Sequence, residues 1–326
     1  MEVLYQNLLT IELNQVIMWA IGGLLIYLAI AKDMEPTLLL PMGFGAILVN
    51  LPNSGLLEKL AYLIVPENKE AEKVVELDQR LLATPTIALQ QCGQLAIKMA
   101  EETVEGFRLS LQCLSDYADS TAQRIREIEN STDHYEDILG TYLTLIARCQ
   151  ISEDDSSEVS RLLKAIGDLE RISDHSVNVL ESVEEMQEKK IAFSAEGKEE
   201  MDVLCAALAE ILEVTMDAFR TGDLEKVYTV EPLEQVIDRL RSELRNRHIA
   251  RLKKGECSVE AGFVWSDLLT DLERTSDHCS NIALSILDAH AHNMNAHQSL
   301  RAMQEGNPVF VEKLENCSRK YVLPRG

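Results

Sequence analysis

Glycine and proline are scarce in this 326-residue chain, with 15 and 8 residues, and aromatics make up only 5%. Sandwiches, barrels and doubly wound sheets draw on more turn formers and aromatics, so the composition disfavours them. Basic residues are also few: 31 against 54 acids leave a formal charge of −23. Such a charge repels a phosphate backbone and argues against nucleic-acid binding. Cys92, Cys113, Cys149, Cys205, Cys257, Cys279 and Cys317 are odd in number, scattered, and form no Cys-x-x-Cys pair. Neither a disulfide framework nor a zinc knuckle is indicated, and a reducing, cytosolic setting fits. Also missing are a Gly-rich phosphate loop, a strand-turn-Ser elbow and a Cys/His arrangement suited to nucleophilic catalysis. No catalytic or cofactor-binding residue is assigned, and an enzymatic role has no positive support. What remains is rich in Ala, Leu, Glu and Ile, the composition of long helices.

The charge is unevenly spread. Residues 1–56 hold one Lys and four acids (Glu2, Glu12, Asp33 and Glu35), so the remainder carries −20 of the −23. Val16 to Ala31 is uncharged, and with Leu13, Asn14 and Gln15 it reaches about nineteen residues, near the spanning length. Trp19 and Tyr27 sit towards its ends, as interfacial aromatics do. A second uncharged run, Pro36 to Gly55, contains Pro41, Gly43, Gly45 and Pro52. It makes a poor regular helix and could span or re-enter under the cover of other protein. The first run has no basic n-region and no small-residue cleavage site, which argues against a cleaved signal peptide. One or two membrane segments are expected. Lys59, Lys69 and Lys73 follow the second run, while Lys32 alone sits between the runs, so the large C-terminal part is expected on the cytoplasmic side of the inner membrane.

From residue 84 onwards helical periodicity is continuous. Thr84-Pro85 reads as an N-cap and first helical position. Helices are expected to about Ser115, from Asp119 to about Arg148, and from after Ser152 to about Lys189. A second set runs from near Ser194 to Thr221-Gly222-Asp223, on to Gly255, and from a Ser258 cap to about Asn293. Long helices joined by short polar loops pack as antiparallel bundles. An internal repeat supports this: residues 168–175 read DLERISDH and residues 271–278 read DLERTSDH, with Asn178 and Asn281 following. Upstream, Glu129 and Asp133 correspond to Glu234 and Asp238. The expected fold is all-α, two tandem three-helix bundles, with motifs on the second and third helix of each. The domain plan is membrane segments over 1–56, a linker over 57–83, repeats over 84–191 and 192–294, and a C-terminal tail over 295–326.

Glu170/Asp174 and Glu273/Asp277 have the spacing Glu-x-x-x-Asp, which puts two carboxylates one turn apart on one helix face. Unpaired, they repel weakly; with carboxylates from a neighbouring helix they could converge on a hard or borderline cation. Glu170 and Asp174 border the apolar stripe of Leu162, Ile166, Leu169 and Ser173, at a helix–helix boundary. In so acidic a chain roughly nine such pairs arise by chance, so each alone reads as a solvated face, and Arg171 and Arg274 offer local partners. Duplication in register is what distinguishes these. His134, His175 and His278 each follow an Asp, either as a metal ligand or its support, or as an Asp–His pair packed between helices.

On these residues, 84–293 resembles the PhoU domain, whose two three-helix units carry such motifs at Glu129, Asp133, Glu170, Asp174, Glu234, Asp238, Glu273 and Asp277. The resemblance implies a role in restraining phosphate uptake and signalling, with iron, zinc or another divalent metal on these acids. Residues 57–91, including LLEKLAYLIVP and LDQRLLATPTIALQQ, and the terminal LRAMQEGNPVFVEKLENCSRKYVLP resemble bacterial Na+/phosphate cotransporter family proteins. The stretch VIMWAIGGLLIYLAIAKDMEPTLLLPMGFGAILVNLP resembles the start of the β subunit of sodium-translocating decarboxylases such as the oxaloacetate decarboxylase, to near residue 55. Two hydrophobic segments cannot form either transporter's inverted-repeat core. The expectation is a membrane-tethered regulatory module whose partner is a transporter or signalling protein of phosphate uptake, and whose acid-lined bundle could form a homodimer. An accessory or truncated subunit of a sodium-coupled transporter, or a non-functional gene fusion, remain alternatives.

Overall fold

The computed structural model describes residues 13–32, 39, 41–42, 44–46, 77–290 and 308–324, and every regular element among them is helical. The chain divides into two compact units, Met1–Val75 and Glu76–Gly326. In the first, α1 (Leu13–Ala31) matches the first uncharged run. Among the described residues no helix is long and apolar enough to cross a membrane. The expected span is therefore not established. The second run lies almost wholly outside the described residues, as do 57–76 of the linker.

The second unit contains the six expected helices. They are α2 (Pro85–Cys113), α3 (Asp119–Ala147), α4 (Glu153–Lys189), α5 (Ala195–Thr221), α6 (Leu224–Lys254) and α7 (Val259–His290). Their ends follow local chemistry. Ser152, Ser194 and Ser258 accept backbone N–H groups of Asp155, Gly197 and Ala261, and Asp223 accepts that of Glu225. Gly222 and Gly255 close α5 and α6 in the left-handed region, at φ 67° and 74°, where the absence of a Cβ removes the steric penalty. Thr84 precedes Pro85 as expected but does not cap with its side chain: its hydroxyl donates to Leu81 O at 3.2 Å, closing the 3-10 turn Gln79–Ala83 instead.

Each three-helix set packs internally, and the most extensive helix–helix contact joins α4 to α7, the third helices of the two sets. One apolar core runs through both, from Ala88, Phe107 and Leu139 to Leu208, Leu233 and Trp265. Gly106 lets α2 approach α3, since a Cβ there would meet Ile128 Cγ2 at 2.9 Å. The stretch expected as a tail contains a further helix, α8 (Pro308–Lys320), packed on α6. Its apolar spacing was short and its lead-in, 291–307, lies outside the described residues. Phe310, Tyr321 and Leu323 are buried there, and the Tyr321 hydroxyl donates to Glu210.

Candidate metal and inter-repeat site

The eight repeated acids fall on facing helices. Glu129 and Asp133 lie on α3 and meet Glu170 and Asp174 on α4; Glu234 and Asp238 on α6 meet Glu273 and Asp277 on α7. In the first set, Glu129, Asp133 and Asp174 each offer an oxygen within 4.8 Å of the others. Burial raises the Glu129 carboxyl, and Asp133 and Asp174 raise it further. Asp133 is raised by burial and by Asp174. Glu170 is pushed to about 7, first by burial and then by Asp174, with Arg171 opposing. Below this cluster the Thr132 and Ser173 hydroxyls meet at 2.7 Å and tie α3 to α4.

The carboxylates of the second set also repel one another and converge less tightly. Glu234 is pushed to about 8 by burial, then by Glu231, Asp277, Asp238 and Glu273. Glu273 and Asp277 are also raised, chiefly by burial. Among the described residues no second trio meets the separation seen in the first. Arg241 stands 3.7 Å from Glu273 and partly satisfies it. Glu231, buried one turn before Glu234 and accepting from Ser280 at 2.7 Å, escaped the sequence reading. Its counterpart 105 residues earlier is Arg126, so the repeat hides it; the i−3 spacing to Glu234 was the available signal.

His175 and His278 do not turn toward the carboxylate clusters. His175 Nδ1 bonds Asp271 Oδ1 at 2.9 Å and His278 Nδ1 bonds Asp168 Oδ1 at 2.8 Å. Asn178 and Asn281 donate to the same two oxygens at 3.2 Å. Each octapeptide thus binds the first residue of the other with its last, and the two rings lie 5.7 Å apart across the seam. Of the two readings of these histidines, the pair packed between helices is what the structure shows. His134 is exposed, on the outer side of α3.

The PhoU domain family matches residues 96–183 and 203–286, and the Na+-transporting oxaloacetate decarboxylase beta subunit family matches residues 14–97. The decarboxylase match runs past residue 55, where the sequence reading ended it, to where the PhoU match begins. The chain is 24% identical over 211 residues to the phosphate-specific transport system accessory protein PhoU homolog 1 of Thermotoga maritima, covering 64% of this chain and 90% of that protein. It is 22% identical over 250 residues to the putative inorganic phosphate export protein YjbB of Salmonella typhimurium, 74% of this chain and 45% of that one. With a probable oxaloacetate decarboxylase beta chain of Vibrio cholerae it shares 36% over 109 residues, 32% of this chain and 25% of that one. The chain therefore spans under half of the export protein and a quarter of the decarboxylase chain. Among solved structures, PhoU from Streptococcus pneumoniae aligns with a TM-score of 0.57 at 18% identity, covering 65% of this chain and 99% of that one. PhoU from Pseudomonas aeruginosa aligns at 0.53 and 21% identity, covering 65% and 98%.

Proposed function

The chain belongs to the PhoU domain family, and on that premise we propose that it is a membrane-tethered regulatory module of phosphate transport that binds metal through its paired carboxylates. The convergence of Glu129, Asp133 and Asp174 oxygens carries the metal reading. All-oxygen donors suit a hard or borderline ion, such as iron, zinc or another divalent metal. Glu170 completes the first set; Glu234, Asp238, Glu273 and Asp277 form the second, with Glu231 beside them. A bound cation would relieve the mutual repulsion of these carboxylates and would fasten α3 to α4. The phosphate role rests on the relatives, one bearing the name of a transport accessory protein and another that of a phosphate export protein. The partner is then a transporter or signalling protein of phosphate uptake, with the helical domain cytoplasmic at the inner membrane. The tether rests on the decarboxylase-like region and on α1, where Ile21, Leu24, Tyr27 and Ile30 are exposed.

Elemental analysis of the purified full chain tests the metal reading. Iron, zinc or manganese should be retained, and alanine at Glu129, Asp133 and Asp174 together should remove one set. If all three metals fail to bind, that reading is lost. Deleting residues 1–56 should move the chain from the membrane fraction to a high-salt supernatant without altering the far-UV spectrum of the remainder. A second reading, an accessory subunit of a sodium-coupled transporter, is favoured by the match over residues 14–97. Sodium-dependent phosphate uptake by vesicles containing only this chain would put it first.

A further inference from the structure

The α6–α7 hairpin carries a surface that neither carboxylate set uses. From Arg239 to Lys254, seven of the chain's 31 basic residues occur beside a single acid, Glu243, in a protein of charge −23. Several are held within the domain. Arg247 and Arg251 clasp the buried Glu200 at 3.1 and 2.8 Å, Arg241 faces Glu273, and Arg239 reaches Ser318 at 3.4 Å. Arg245 and Lys253 are exposed and make no ion pair among the described residues. Beside them stand apolar side chains outside the core: Ile249, Val259 and Phe263 are 40%, 64% and 67% exposed.

These residues share one side of the hairpin. A Cβ on Gly262 would touch His248 and Leu252, which fixes the line along which α7 meets α6. One residue further along each antiparallel helix, about 100° round, Ile249 and Phe263 turn to the same side. Arg245 and Lys253, four residues either side of Ile249, and Val259, four before Phe263, fall in line with them. Neighbouring acids are turned elsewhere or engaged: Glu256 stands 4.0 Å from Lys254, Glu243 holds Arg247 at 2.6 Å, and Glu260 lies in the field of Lys189 on α4. Asp267, a turn beyond Phe263, marks where this face ends.

We propose that this face docks on an anionic lipid surface, with Phe263, Val259 and Ile249 entering the headgroup layer and Arg245 and Lys253 meeting lipid phosphates. Exposed apolar side chains in line with unpaired bases on one side of a helical hairpin suit a fluid, anionic interface that adapts to them. The overall acidity does not forbid the contact, because charges more than about 10 Å apart are screened at moderate salt. It orients it instead, since the acidic remainder is repelled from the same surface.

Hydrogen–deuterium exchange on the full chain bound to vesicles provides the test. On vesicles of phosphatidylcholine with phosphatidylglycerol, amides of 245–263 should exchange several-fold more slowly than on phosphatidylcholine alone. V259S/F263S and R245E/K253E should each abolish the difference, and raised salt should weaken it. All four positions are exposed, so the thermal midpoints of both variants should match the parent and exclude unfolding as the cause. Equal exchange on the two vesicle types overturns the proposal. So does protection in lipid-free protein that grows with concentration, which would mark self-association, or protection that appears only with an added acidic polypeptide.

Discussion

Glu234 and Glu170 hold protons that an unfolded chain would release. Their carboxyls titrate near 8 and 7 in the fold, against an ordinary value of 4.5, because burial and facing carboxylates disfavour the charged form. Between about pH 5 and 8 the folded state therefore binds more protons than the unfolded one, so stability is present at the low end and falls as pH rises. The metal-free protein should lose several degrees of thermal midpoint across that window, and Glu234→Gln, which keeps a neutral isostere, should flatten the loss. A midpoint that rises with pH in both would contradict this. With a cation bound the trend reverses, because the ion displaces the same protons. The His–Asp pairs act by geometry. His175→Ala removes the partner of Asp271 and should cost about 1–3 kcal/mol in denaturant unfolding, and Asp271→Ala should cost less in the His175→Ala background than alone. The octapeptide repeat made Glu170, Asp174, Glu273, Asp277 and both histidines visible, and the upstream correspondence added Glu129, Asp133, Glu234 and Asp238. It could not show that each His reaches the other repeat's Asp168 or Asp271, because the pairing depends on which helices meet.

Helix ends were the most legible elements because their signals are local. A serine or aspartate that caps, and a glycine that can adopt positive φ, act within a few residues of chain. Two ends depart from that chemistry. Thr84 turns its hydroxyl back to donate to Leu81 O in the preceding 3-10 turn and does not accept from the first amides of α2. Lys190 closes α4 in the left-handed region at φ 53°, the position a glycine ordinarily takes. Its backbone still bonds Gln187 and Met186, so the cap forms at a steric cost. Lys190→Gly should raise stability by about 0.5–1 kcal/mol, read as a higher denaturant midpoint with unchanged slope. A lower midpoint would show that the lysine side chain outweighs the backbone cost. Helix α8 is hidden in the sequence because its burial comes from docking on α6, and a thirteen-residue segment gives too few turns for its own pattern to reveal that.

At the scale of the molecule, duplication suggests two independent bundles, yet the contacts describe one body. The apolar core is continuous through both repeats, and α4 and α7 make the most extensive contact in the unit. Both carboxylate sets use one of these central helices, and the reciprocal His–Asp bonds fasten the two together. A repeat cut away from its sister would expose the α4 face that packs on α7 and leave His175 without its acceptor. The second unit should therefore unfold as a single transition, with matching calorimetric and van't Hoff enthalpies. A fragment holding residues 84–191 alone should lack a cooperative melt. Two resolved transitions in the full chain, or a cooperative melt of the single repeat, would mean that the seam is a contact between finished domains. In that case an ion bound at Glu129, Asp133 and Asp174 could not stabilise Glu234, Asp238, Glu273 and Asp277. If the single transition holds, occupancy of either set raises the unfolding temperature of both, because neither helix pair melts without the other.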